Sequence, residues 1–156
     1  MKQFITPDSL AWAAQLREDT GADAMPFAPA VVTRGDTVWL SGATAYPLVH
    51  QHPHDEAELT VPEGIAEQTR ACLENLLIAL KAAGGDVQDI VKVTIFNTDM
   101  DAQNEVNQVY VDFFGEHRPA RSHIGVNRLV GPELKIEIEA VAVLSLGLSR
   151  GRVSDA

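Results

Sequence analysis

The sequence has one cysteine, few aromatic residues and no long apolar run. Cys72 alone cannot close an internal disulfide, so no disulfide framework is expected and a reducing, cytoplasmic setting fits. No stretch approaches the roughly 20 apolar residues of a membrane span, and the opening residues carry no secretory pattern. Basic residues are scarce: 12 Lys and Arg stand against 22 Asp and Glu, a formal charge of -10. That balance argues against nucleic acid and anionic membrane as partners, although one or two well-placed arginines still suffice to grip a small anion. A phosphate loop is excluded too, because Gly84-Gly85 lacks a following Lys and Ser/Thr. Repeats and linkers are missing. One domain over residues 1–156 is therefore expected, with a core over about 27–145, an N-terminal extension over 1–26 and a tail over 146–156.

What is present is periodicity. Residues 64–83 place Thr69, Leu73, Leu76, Leu77 and Leu80 on one helical stripe with Cys72 beside it, and Gly84-Gly85 stops the helix. Residues 102–114 repeat the pattern with Val106, Val109, Tyr110 and Phe113 as the core face, Asp99 or Asp101 as cap and Gly115 as terminator. Residues 30–33 and 37–42 read as a β-hairpin about Arg34-Gly35-Asp36. Residues 90–97 read as a strand whose Val91, Val93 and Ile95 are expected to line a sheet face covered by another subunit. A short helix is expected over residues 10–17, and a frayed tail over the last dozen residues.

Two further strands fall at residues 122–129 and 134–144, separated by the turn chemistry of Val130-Gly131-Pro132. The second alternates strictly, with Leu134, Ile136 and Ile138 on one face and Lys135, Glu137 and Glu139 on the other. Read as a hairpin, the pair brings Arg121, just before the first strand, near Glu137 in the middle of the second. The element order is strand, strand, helix, strand, helix, strand, strand. Short links then put both helices on one face of a mixed sheet, an α+β fold.

His50, His52 and His54 alternate with Gln51 and Pro53 and precede Asp55, Glu56 and Glu58. Three histidines invite a metal reading. Pro53 and the lack of a rigid element favour a solvated loop instead, and no metal site is expected. Cys72, inside a helical pattern, reads as a small buried apolar residue and not as a nucleophile.

Pro119-Ala120-Arg121-Ser122, a short strand, and then Lys135-Ile136-Glu137-Ile138-Glu139-Ala140-Val141-Ala142 resemble the signature of the RidA (YjgF-like, endoribonuclease L-PSP-like) family of reactive imine/enamine deaminases. Ser41-Gly42, Gln68, Asn75, Ala82-Ala83-Gly84-Gly85, residues 89–96, Asp99, Val106-Asn107-Gln108-Val109-Tyr110 and Phe113-Phe114 extend the likeness over most of residues 27–143. The resemblance implies a chorismate-mutase-like α+β fold assembling as a homotrimer with three clefts between subunits. It implies that Arg121, Glu137 and Asn107 correspond to the family's arginine, strand glutamate and helix asparagine. It implies no cofactor. Two positions depart from it. Phe27 stands where deaminating members usually carry Tyr, so a hydroxyl is lost from the substrate side of the pocket. His123 stands where they often carry Cys or an apolar residue.

Elementary chemistry fits these roles. An arginine grips a carboxylate with two parallel hydrogen bonds and stays charged at any working pH. An imine derived from an amino acid keeps that carboxylate, and its hydrolysis needs a water oriented or deprotonated by a group such as Glu137. Against these stand a structural ion pair for Arg121, a solvent-facing strand position for Glu137 with Glu139 as its rival, and a backbone-bridging role for Asn107. Residues two apart on a strand share a face, so His123 points the same way as Arg121, as an acid/base group or as pocket wall. The expected activity is hydrolytic deamination of a small carboxylate-bearing imine or enamine, 2-aminoacrylate-like or aminomuconate-like, to the oxo acid and ammonia. The alternatives are a trimer that binds a 2-oxo acid without turnover, and a tautomerase or hydrolase that uses His123.

Overall fold

The computed structural model describes residues 3–5, 30–32, 36–49 and 59–144. The helix expected over residues 10–17, Phe27, the loop with His50, His52 and His54, and the C-terminal tail lie outside the described residues.

Six strands form one mixed sheet: β1 (Gln3–Ile5), β2 (Ala30–Val32), β3 (Thr37–Ala43), β4 (Ile90–Asn97), β5 (Ala120–Gly125) and β6 (Ile136–Val143). Their order across the sheet is β1-β2-β3-β6-β4-β5. Neighbours run antiparallel except β4 and β5, which are parallel. Two helices, α1 (Ile65–Ala82) and α2 (Gln103–Phe114), pack against one face, as the α+β expectation requires. β1 has no counterpart among the expected strands, because three residues carry too little alternation to be read.

α1 forms because its apolar residues recur at helical spacing. Ile65, Thr69, Cys72, Leu73, Leu76, Ala79 and Leu80 are buried, while Glu67 in the first turn and Lys81 in the last suit the helix dipole. Gly84, at φ 87, provides the left-handed residue that ends it. The core joins this stripe to Val38 and Leu40 of β3, Val93 and Ile95 of β4, and Ile136, Ile138 and Ala140 of β6. Buried Gln68 pins α1 to the entry of β6. Its Nε2 donates to the carbonyls of Pro62 (2.7 Å) and Glu133 (3.0 Å), and its Oε1 accepts from the Lys135 N–H (2.8 Å). α2 is preceded by a 3-10 turn, Met100–Ala102, capped by the Asp99 carboxylate. In α2 it is Phe114, with Val106, Val109 and Tyr110, that is fully in the core; Phe113 packs at its margin.

Two expectations are corrected. β5 and β6 are not a hairpin. β4 lies between them, paired parallel to β5 and antiparallel to β6. The Val130-Gly131-Pro132 turn ends a connection that crosses β4, and local turn chemistry cannot tell such a crossing from a hairpin. Nor do Val91, Val93 and Ile95 share the open face. The register shifts between Ile90 and Lys92, leaving Val91 exposed at an irregularity. Val93 and Ile95 are fully buried under the helices. The open face instead carries Lys92, Thr94 and Phe96 of β4, beside Glu139 and Glu137 of β6.

No described helix is long and apolar enough to cross a membrane.

Candidate active site

Arg121 lies on β5, the edge strand, opposite Val93 of β4. Residues paired across strands share a face, so its side chain leaves the sheet on the helix-covered side. There α2 receives it. The guanidinium donates to Asn107 Oδ1 at 2.9 Å and sits 4.8 Å from the centre of the Tyr110 ring. Asn107 and Tyr110 are three apart on α2 and so stand one turn from each other. Both partners are neutral, and among the described residues no carboxylate pairs with Arg121. Among the described residues its positive charge is oriented but not neutralised, and they give the ion-pair alternative no support.

His123 follows on the same face, opposite Ile95. Its Nε2 lies 3.1 Å from the side-chain amide nitrogen of Asn97, the buried last residue of β4. Asn97 Oδ1 in turn accepts from the Asp99 N–H at 2.8 Å. The His123 Nδ1 is shielded from water and has no hydrogen-bond partner among the described residues. Burial first, and the Arg121 charge second, hold the imidazole below the usual histidine range.

Glu137 is half-buried on the open face of β6, with Glu139 more exposed two residues on. Its carboxylate lies over Gly42 of β3. A Cβ at that glycine would collide with Glu137 Oε1, so the missing side chain is what makes room for the acid. Burial, and then the charge of Glu139, push the Glu137 carboxyl above its ordinary value. A base tuned upward in this way is better matched to proton transfer near neutrality than an exposed Glu.

Arg121 and Glu137 do not meet within one chain. They leave opposite faces of the sheet and sit two strands apart, about 10 Å by strand spacing alone. The chain therefore brings together Arg121, Asn107 and His123, and holds Glu137 separately beside Gly42. Phe27 is outside the described residues. Asn97, Tyr110 and Gly42 were not singled out as candidate site residues from the sequence. A polar Asn97 at the buried parity of Val93 and Ile95 was a signal; Tyr110 was counted only as core. Cys72 is fully buried, with its thiol pushed upward by burial. Among the described residues no group of three or more His, Cys, Asp or Glu is placed to hold a metal ion.

The family model described as Endoribonuclease L-PSP matches residues 20–144. The chain belongs to this family, the RidA family. A 2-iminobutanoate/2-iminopropanoate deaminase of Salmonella typhimurium is 45% identical over 96 residues, 60% of this chain and 74% of that protein. Among solved structures, Escherichia coli TdcF with bound serine superposes with TM-score 0.66 at 35% identity, covering 80% of this chain and 92% of the other. A Mycobacterium tuberculosis member of the YjgF/YER057c/UK114 family gives TM-score 0.67 at 28% identity, covering 92% of this chain and all of the other. The RidA-family model match spans β2 to β6 and both helices, the elements that carry Arg121, Asn107, His123 and Glu137.

Proposed function

We propose that this protein hydrolyses small carboxylate-bearing imines or enamines to the oxo acid and ammonia, in clefts between the subunits of a homotrimer and without a cofactor. The observation that carries the reading is the Arg121 cradle: a guanidinium fixed by a neutral amide oxygen and a neutral ring, its charge left for a ligand anion. A fork so held is suited to a two-point grip on an α-carboxylate. Glu137 of a neighbouring copy takes a proton from water as the water oxygen adds to the imine carbon. Glu137 passes that proton to nitrogen to give the neutral carbinolamine, then takes the carbinolamine's hydroxyl proton and delivers it to nitrogen as the C–N bond breaks, so that ammonia leaves and the oxo acid remains. Water and one carboxyl group balance the reaction.

Two features support a shared cleft. Arg121 stands at a sheet edge and Glu137 on the face that no described helix covers, so a second copy whose edge strand meets that face unites them. That face also exposes Trp39 and Val143, with Ile124 at its rim, which suits burial between copies. The deaminase name of the Salmonella relative supports the chemistry. The serine in TdcF favours a second reading, a trimer that binds small amino or oxo acids without turnover.

Imines generated in situ by an amino-acid oxidase separate the two. Ammonia release well above the oxidase-and-buffer control is expected. Tight binding of a 2-oxo acid with no acceleration would overturn hydrolysis in favour of binding.

A further inference from the structure

Hydrogen-bond logic fixes the proton on His123. Asn97 Oδ1 accepts from the Asp99 backbone N–H at 2.8 Å, and a backbone N–H can only donate. The amide is thereby oriented: turning it over would set its NH2 against that N–H. Its Nδ2, a donor without a lone pair, is the atom that faces His123 Nε2 at 3.1 Å. Nε2 must accept, so in the neutral ring the proton is on Nδ1. An imidazolium would set N–H against NH2. It would also stand on the same face as the Arg121 guanidinium, two residues along β5, in a partly desolvated position.

We infer that Asn97 holds His123 as the neutral Nδ1–H tautomer, so that the ring stands beside Arg121 as pocket wall and not as a general base. The lone pair a base would need is occupied by Asn97. The remaining polar atom, Nδ1, has no acceptor among the described residues and is closed to water within the chain. Neither nitrogen is then free to take a proton from water or ligand in the cleft: Nε2 is occupied, and Nδ1 is protonated and out of reach. Asn97 is a positioning residue, acting through His123. The tautomer does not depend on the proposed carboxylate cleft.

Nitrogen-15 histidine spectra of the full-length protein test this. In the ligand-free protein at neutral pH, His123 is expected to carry its proton on Nδ1. Asn97→Asp supplies an acceptor to Nε2 and should move the proton to that nitrogen. Because Asn97 is buried and its variants can misfold, the wild-type spectrum decides first. A proton on Nε2, or a charged ring at neutral pH, overturns the inference.

Discussion

Replacing Arg121 by lysine keeps the charge and removes the fork, which makes it the sharpest single perturbation of the carboxylate grip. In the folded chain the guanidinium makes one neutral hydrogen bond, to Asn107 Oδ1 at 2.9 Å, and one ring contact, 4.8 Å from the Tyr110 centroid. The hydrogen bond contributes about 1 kcal/mol and the exposed ring contact about 0.5–1 kcal/mol. Lysine keeps part of the second. The expected stability loss is therefore about 1 kcal/mol, or about 2–4 °C in Tm for a chain of this size. The functional loss is larger. Truncating one partner of a desolvated charged hydrogen-bond pair costs about 2–5 kcal/mol, which is about 30-fold to several thousand-fold in kcat/KM. An ammonium restores the Coulomb attraction but not the planar two-point geometry, so Arg121→Lys belongs at the lower end of that span and Arg121→Ala at the upper. The assay is ammonia release from oxidase-generated imines, with thermal unfolding of the same samples. Full activity in a folded Arg121→Lys protein would refute the carboxylate grip.

Three further substitutions have outcomes that follow from the geometry. Glu137→Gln keeps size but cannot take a proton, so kcat should fall while 2-oxo acid affinity largely survives. The raised Glu137 carboxyl means the folded state binds more protons than the unfolded state as pH rises from the ordinary Glu range to the folded value. Stability falls through that window and stays lowered above it, so Glu137→Gln should raise Tm at pH 7 and abolish the acid limb of the pH–rate profile. Gly42→Ala pushes a Cβ into the Glu137 carboxylate, the movable end of a side chain; kcat should drop more than about tenfold with less than about 1 kcal/mol of stability lost. Gln68→Leu strands two carbonyls and the Lys135 N–H in the interior, and denaturant titration should record a loss of about 2–4 kcal/mol.

The helices and β6 were legible because each repeats one period over many residues. The α1 stripe through Leu73, Leu76 and Leu80, and the alternation from Leu134 to Ile138, each have a single geometric solution. Non-local pairing left weaker traces. The residues around Val130-Gly131-Pro132 carry the turn signal of a hairpin, yet β5 pairs with β4 through the α2 crossover. On β4 the register shift takes Val91 off the face of Val93 and Ile95, and the alternation alone did not say which face the helices cover. The candidate site divides in the same way. That Arg121 and His123 share a face followed from strand parity alone. That Glu137 stands on the opposite face depended on which strand separates β5 from β6, which no local pattern encodes. The Asn97–His123 contact joins two parallel strands 26 residues apart in sequence, and only a polar residue at a buried parity hinted at it.

The central claim is that one copy supplies Arg121 and another Glu137 to the same cleft, and mixing two inactive variants tests it most directly. Arg121→Ala and Glu137→Gln chains are co-expressed in equal amounts, the mixed oligomer is isolated, and ammonia release is compared with each variant alone. A cleft needs an intact arginine from one chain and an intact glutamate from its neighbour. Each mixed trimer, of either composition, regains both in one cleft of three, so about a third of wild-type activity is expected. Mixed oligomers no more active than the two parents would contradict a shared cleft.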